Sequence, residues 1–282
     1  MTRLFLIFAF MAMAQDLSQQ GAQAMRESRF ADAERIYREM LKSSPGDPRL
    51  HLNLGLALHS AGKYKQAIQE FDLFLKANPQ PGPTYLLAGV ARLKLDRACD
   101  AIPLLEKARQ WQASAQVLME LGDAYHGCKR FTDAAVAYRK AAQLTPGDVR
   151  LTRAAARSFW QAREYPEARP LYAAIESRHS NDADFLYEYG DTLARIEGPE
   201  AGLSYLERAV KAAPSLAPAH GALGRALLEL GRAAASIPHL EAAAPTDPAL
   251  LLPLSRAYKA AGRLEEAARV EAEYRKKFAV QN

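Results

Sequence analysis

A small residue recurs at intervals of about 34 positions along almost the whole chain. The interval is 34 residues in five of the seven steps, and 33 and 31 residues in the other two. A fixed period of this length indicates one supersecondary unit that is repeated. It overrides the two globular domains that a length of 282 residues suggests by itself. The recurring residues are Gly21, Gly55, Gly89, Gly122, Ala156, Gly190, Gly224 and Ser255.

Two further sequence features recur in the same register along the repeats. Twelve residues after the first small residue comes a second one, at Ala33, Ala67, Ala101, Ala134, Ala168, Gly202, Ser236 and Ala267. Four residues later lies a bulky apolar residue in seven of the eight repeats, at Tyr37, Phe71, Leu105, Tyr138, Tyr172, Leu206 and Leu240, whereas the eighth has Glu271. Residues four apart share a helix face. The pattern therefore predicts pairs of helices, A and B, whose small residues oppose each other while the bulky residue fills the space behind them.

The residues of these helices resemble a known family. Residues 54–58 (Leu-Gly-Leu-Ala-Leu) and 64–71 (Tyr-Lys-Gln-Ala-Ile-Gln-Glu-Phe) are similar to the helix A and helix B motifs of the tetratricopeptide repeat family. The resemblance implies an all-α, right-handed superhelical solenoid of about eight helix-turn-helix repeats over residues 15–282, with a polar C-terminal cap. The repeats are 14–47, 48–81, 82–114, 115–148, 149–182, 183–216, 217–247 and 248–281.

Residues 1–14 have the order of a secretory signal peptide. Arg3 supplies the charge, an apolar run extends from Leu4 to Met13, and Ala-Met-Ala forms the cleavage site. A membrane anchor and a buried N-terminal helix are the alternatives, but the run is about half of the roughly 20 residues that a bilayer span needs. We predict a mature protein that begins at Gln15, is periplasmic or secreted, and keeps no stable membrane anchor.

The two cysteines fall in adjacent repeats. In the tetratricopeptide register, Cys99 lies in the first turn of a helix B and Cys128 at the end of the following helix A, both on the edge that carries the A–B turns. Neighbouring repeats can bring two such Cα atoms within the ~4.4–6.8 Å that a disulfide needs, and export provides an oxidising compartment. A disulfide is one interpretation, and two small buried free thiols are the other.

Motifs for catalysis or cofactor binding are absent from the sequence. It has no H-E-x-x-H motif, no phosphate-binding glycine loop and no G-x-S-x-G turn. The histidines do not lie beside cysteines at metal-ligand spacing. The formal net charge of +5 is small and scattered, so a basic nucleic-acid face is not indicated. We predict a protein that is not an enzyme and has no metal, no small-molecule cofactor and no nucleic-acid partner.

Proline occurs at equivalent positions of helix B in three repeats, at Pro103, Pro170 and Pro238. Proline is harmless in the first turn of a helix and kinks the helix at deeper positions. We therefore predict that helix B starts late or bends in these repeats.

The resemblance places the partner-binding surface on the concave face, which helix A lines in this family. The candidate residues are Leu52, Asn53, Leu56, Leu86, Val90, Glu120, Asp123, Arg153, Arg157, Trp160, Tyr187 and Asp191. The same face of the last two repeats carries Arg225, Glu229, Arg256 and Lys259. The family's clamp for the carboxylates of chaperone tails is not intact, because Ser18 and Ala22 occupy the repeat before Asn53.

The hypothesis from the sequence is a non-catalytic scaffold in an extracytoplasmic compartment. It would bind a partner protein, peptide or helix in the groove, in cell-envelope assembly, secretion or surface-polymer export. Arg153, Arg157 and Trp160 share a helix face and are residue types typical of binding hot spots. The arginines have an alternative role, pairing with the acidic residues Glu120, Asp123, Asp184 and Asp191 of neighbouring repeats.

The alternative function is a glycan-associated binding module, or an accessory subunit of a glycan-modifying enzyme. Trp160 and Tyr187 are the two aromatic candidates for a sugar-binding platform on the helix A face.

Overall fold

A computed structural model describes residues 15–78 and 82–278, which form α-helices, turns and two short 3-10 helices and contain no strand. The predicted all-α architecture of paired helices is confirmed for these residues. The predicted signal peptide, residues 1–14, lies outside them. The helices are α1 (15–26), α2 (Phe30–Ser43), α3 (Pro48–Ser60), α4 (Tyr64–Ala77), α5 (Gly82–Leu93), α6 (Ala98–Trp111), α7 (Ala115–Gly127), α8 (Phe131–Leu144), α9 (Val149–Gln161), α10 (Tyr165–Ile175), α11 (Ala183–Ile196), α12 (Pro199–Ala212), α13 (Ala217–Glu229), α14 (Ala233–Ala243), α15 (Leu251–Ala260) and α16 (Leu264–Phe278).

The chain divides into two compact units, unit one (Met1–Gly147) and unit two (Asp148–Asn282). Odd-numbered helices are the A helices of the repeats and even-numbered helices are the B helices. Within each unit, a helix packs against its partner in the pair and against the next helix along the chain, and successive A helices also touch. Such pairs are too small to bury their apolar faces alone, so stacking supplies the core. None of the helices in the described ranges has the length and apolar character that crossing a membrane requires.

Helices A and B of one repeat meet at the recurring small residue of helix A. A Cβ atom built on Gly55 would lie 2.7 Å from ring carbons of Phe71, so only glycine fits this contact. The bulky residue of helix B therefore presses directly on the glycine. For this repeat the opposition of Gly55 and Ala67 stays a prediction, and Ala67 is buried in the same core cluster as Phe71. In the sixth repeat the two helices do meet at small residues, because a Cβ atom on Gly202 would lie 2.1 Å from the carbonyl oxygen of Gly190.

The last repeat makes the same contact with polar groups. Ser255 replaces the glycine and Glu271 replaces the bulky residue, and the Ser255 hydroxyl donates to Glu271 Oε1 at 2.9 Å. Glu271 also pairs with Lys259 of the same repeat. The replacement keeps the position of helix α16 while giving this end of the stack a polar surface, as a terminal repeat needs.

The helix B prolines do not delay the start of their helices. In every repeat helix B begins three residues before its small residue, and this holds for α6, α10 and α14, where proline is the sixth residue. The late start is therefore wrong, and a bend, the other predicted outcome, stays a prediction. The missing N–H of a proline here frees only one carbonyl in the first turn, while the contact between the helices fixes where helix B begins.

A residue in the left-handed region precedes seven of the B helices by two positions. Gly62, Gly231 and Gly262 occupy this place with φ near +75°. In four other turns a residue with a side chain adopts the same conformation, which costs about 1 kcal/mol relative to glycine. These residues are Ser28 (φ 57°), Asp96 (φ 55°), Lys129 (φ 58°) and Arg163 (φ 62°).

A disulfide links the third and fourth repeats in unit one. Cys99 is the second residue of α6 and Cys128 directly follows α7, with the two Cα atoms 5.2 Å apart. Of the two interpretations left open by the sequence, the structure contains the bonded one.

Candidate partner-binding surfaces

Two arginines of α9 reach the next A helix, α11, in unit two. Arg153 Nη2 donates to Asp182 Oδ1 at 3.0 Å, and Arg157 Nε lies 2.8 Å from Glu188 Oε1. Asp182 also caps α11 by accepting a hydrogen bond from the backbone N–H of Phe185. Both arginines are therefore paired with acidic groups, as the alternative interpretation proposed, although the partners are Asp182 and Glu188 rather than the residues named from the sequence.

Glu188 is a buried carboxylate, with 1 % of its surface exposed. Glu188 Oε1 forms the ion pair with the Arg157 guanidinium. The Tyr172 hydroxyl donates a hydrogen bond to Glu188 Oε2 at 3.1 Å. Burial raises the pKa of Glu188 to about 7, while the charges of Arg157 and Arg153 and the hydrogen bond from Tyr172 oppose the rise. The ion pair of Arg157 and Glu188 therefore contains a carboxyl group whose pKa lies near neutral pH.

Trp160 and Tyr187 form the next link between α9 and α11. Trp160 Nε1 donates to Asp191 Oδ2 at 2.9 Å, and its ring meets Tyr187 edge to face with centroids 5.4 Å apart. Asp191 is buried and also lies 3.3 Å from Arg195 Nε and 3.7 Å from Arg225 Nη2. The predicted residues of this helix face are therefore brought together, and their polar groups bond largely to one another.

The predicted apolar residues of unit one are half-buried. Leu52 and Leu56 of α3 pack on the buried cluster that includes Leu54 and Phe71. Leu86 of α5 packs on a second cluster, which includes Val117. These side chains contribute to packing between repeats and leave part of their surface open, as Asn53 and Val90 also do.

The two acidic candidates of α7, Glu120 and Asp123, interact with residues of their own surroundings. The Tyr138 hydroxyl donates to Asp123 Oδ1 at 2.5 Å. Burial and the neighbouring charge of Asp123 raise the pKa of Glu120, and Lys94 opposes the rise. Glu120 is half-buried, whereas Asp123 is exposed.

A groove of about 540 Å³ lies between the A helices α13 and α15 in unit two. Arg225 and Arg256, each the ninth residue of its repeat, line it together with apolar side chains. Arg256 is exposed and forms no ion pair with any residue in the described ranges. Arg225, Glu229 and Arg256 were placed on the concave face from the sequence, although the candidate binding residues end at Asp191. The lining of the groove is Arg225, Leu228, Glu229, Asp247, Ala249, Leu250, Pro253, Arg256 and Ala260.

The sequence matches the tetratricopeptide repeat over residues 19–80, 86–149, 153–217 and 195–250. The chain belongs to the tetratricopeptide repeat family. The resemblance stated from the helix motifs is thus confirmed over most of the chain. No curated protein matches the sequence.

Several solved tetratricopeptide repeat structures share this fold. MamA is 22 % identical with a TM-score of 0.54, covering 61 % of this chain and 94 % of MamA. YrrB, a tetratricopeptide repeat protein with an unusual peptide-binding site, is 20 % identical with a TM-score of 0.56, covering 65 % and 95 %. A tetratricopeptide repeat protein from Parabacteroides merdae is 13 % identical with a TM-score of 0.51, covering 86 % and 98 %. At these identities the likeness establishes the fold.

Proposed function

We propose that this tetratricopeptide repeat protein is a non-catalytic scaffold that binds a peptide segment of a partner protein in the groove between α13 and α15. The observation that carries the proposal is the unpaired, exposed Arg256 beside an apolar floor in the described part of unit two. The peptide-binding site of YrrB, on the same fold, supports this class of partner.

The lining of the groove determines the chemistry of the partner segment. A guanidinium group binds a carboxylate through two parallel hydrogen bonds, so Arg256 and Arg225 favour an acidic side chain or a C-terminal carboxylate. Leu228, Leu250 and Pro253 favour an apolar side chain next to it. Glu229 and Asp247 also line the groove, and they disfavour a segment with many acidic residues.

A peptide library displayed on phage tests this proposal. Purified protein is expected to select segments that combine one or two carboxylates with an apolar residue. Arg256→Glu should abolish the selection, because the new carboxylate repels the acidic group. Arg269→Glu is the matched control, since Arg269 is an exposed arginine on α16 of the same unit and forms no ion pair with any described residue. If the wild-type protein selects peptides without acidic groups, the groove is not the binding site. The same conclusion follows if Arg256→Glu still binds the acidic peptides.

We further propose that the protein works outside the cytoplasm, in cell-envelope assembly, secretion or surface-polymer export. The order of residues 1–14 supports export, and the Cys99–Cys128 disulfide suits an oxidising compartment. N-terminal sequencing of the protein from its native cells should begin at Gln15, and thiol labelling without reductant should find no free cysteine. A chain that keeps Met1 and carries two free thiols would contradict this setting.

The glycan hypothesis gains no support from the two aromatic candidates. A sugar platform presents an open ring face, whereas Trp160 and Tyr187 contact each other edge to face. The indole N–H of Trp160 is already bonded to Asp191.

A further inference from the structure

Two histidines face each other across the seventh repeat. Nδ1 of His220, on α13, lies 3.0 Å from Nδ1 of His239, on α14, and the ring centroids are 5.1 Å apart. Nε2 of His220 lies 3.0 Å from the carbonyl oxygen of Pro214. Because a carbonyl only accepts hydrogen bonds, Nε2 of His220 carries the hydrogen and its Nδ1 presents a lone pair when the ring is neutral. That lone pair points to the second imidazole.

The second repeat has the same arrangement with a different partner. His51, like His220, is the fourth residue of its A helix, and its Nε2 lies 3.0 Å from the carbonyl oxygen of Pro45. Its Nδ1 lies 2.6 Å from Oε2 of Glu70, which is 19 residues further on, as His239 is from His220. A carboxylate there completes the hydrogen bonding of His51. In the seventh repeat a second nitrogen ligand stands in the place of that carboxylate.

We propose that His220 and His239 bind one Zn²⁺ ion through their Nδ1 atoms. Imidazole nitrogens bind zinc at about 2.0–2.1 Å, and in tetrahedral geometry two such rings have their centres about 5.2 Å apart and their nitrogens about 3.4 Å apart. The ring centres are already at 5.1 Å, so a tilt of the rings opens the nitrogen separation from 3.0 Å. Water completes the coordination, since both side chains are partly exposed.

The second ring nitrogen of His220 is held as that of a metal-binding histidine is. The hydrogen bond from His220 Nε2 to a backbone carbonyl is the usual support of a zinc-binding histidine.

Calorimetric titration of the tag-free protein with Zn²⁺ at pH 7.5 tests this inference. One ion per chain is expected, and His220→Gln and His239→Gln should each weaken binding at least tenfold. His51→Gln removes the matching histidine of the second repeat and should leave the affinity unchanged.

Nitrogen NMR of the wild-type side chains supplies a readout that does not depend on the folding of any variant. Zinc should shift the Nδ1 resonances of two histidines, and the variants identify those rings as His220 and His239. The absence of saturable binding, an affinity that neither glutamine variant changes, or shifts confined to other histidines would overturn the inference.

Discussion

The third and fourth repeats of unit one and the fifth and sixth repeats of unit two are joined by different chemistry. In unit one the Cys99–Cys128 bond links the third and fourth repeats covalently. In unit two Arg157 of the fifth repeat reaches the buried Glu188 of the sixth. A covalent link does not respond to pH or salt, whereas a buried ion pair depends on the protonation of its carboxylate. The same helix stack therefore accepts either kind of link, and we expect the two units to lose stability under different conditions.

The largest effect is expected from removing the covalent link. The double substitution Cys99→Ser and Cys128→Ser should lower the stability of unit one by about 3.5 kcal/mol, because the bond joins residues 29 positions apart in the unfolded chain. Hydrogen exchange measured by mass spectrometry during urea titration reports each unit separately. Reductant should affect the wild-type protein and have no effect on the double variant. Equal loss in both units would contradict the assignment of this link to unit one.

Breaking the ionic link should produce a comparable or smaller effect that is confined to unit two. Arg157→Met leaves Glu188 buried without its cation and should cost about 3 kcal/mol at pH 8. The cost should fall at pH 5, where Glu188 is protonated. Arg150→Met is the control, because Arg150 is 91 % exposed and pairs only with Asp148 within the described residues. A loss that is the same at both pH values would show that the charge of Glu188 is not the cause.

Removing the charge of Glu188 sharpens the same comparison. Its folded pKa of about 7 lies above the ordinary value of 4.5, so folding favours the protonated form. The stability that this group contributes is complete below pH 4.5 and is lost as the pH rises through 7. The glutamine in the Glu188→Gln variant cannot ionise. As the pH rises from 4.5 to 8, the free energy of unfolding of this variant should therefore increase by about 2–3 kcal/mol relative to that of the wild-type protein. Denaturant titration across this range measures the difference, and parallel curves would contradict it.

The smallest predicted effect should be equal in the two units. Lys129→Gly in unit one and Arg163→Gly in unit two relieve a left-handed conformation at equivalent A–B turns. Each should raise stability by about 0.5 kcal/mol after the entropy cost of glycine in the unfolded chain. The urea midpoint measures this gain, and Gly62→Ala should move it in the opposite direction.

The sequence predicted the helix pairs because a few residues in each repeat carry the packing. Gly55 and Phe71 keep their spacing since any side chain at Gly55 would collide with the ring. The partners of Arg153 and Arg157 were not predictable, because several acidic residues lie within reach of an arginine on neighbouring helices. The choice of Glu188 depends on its burial beside Tyr172, which the repeat pattern does not reveal.

The sequence placed Arg225, Glu229 and Arg256 on the concave face, but it did not predict a groove with an apolar floor beside them, for a related reason. Leu228 and Leu250 occupy repeat positions where apolar residues also pack between helices, so the sequence alone does not mark them as the floor of a groove. The pair of arginines at the ninth position of two successive repeats is the signal that could have found it.

The central claim is that a carboxylate of the partner segment binds the arginines of this groove, and a charge exchange tests it most directly. An acidic peptide selected by the wild-type protein should bind Arg256→Glu at least tenfold more weakly. Replacing the carboxylate of the peptide by lysine should restore its binding to Arg256→Glu and weaken its binding to the wild-type protein. Equal affinity of the original peptide for Arg256→Glu and for the wild-type protein would contradict the claim.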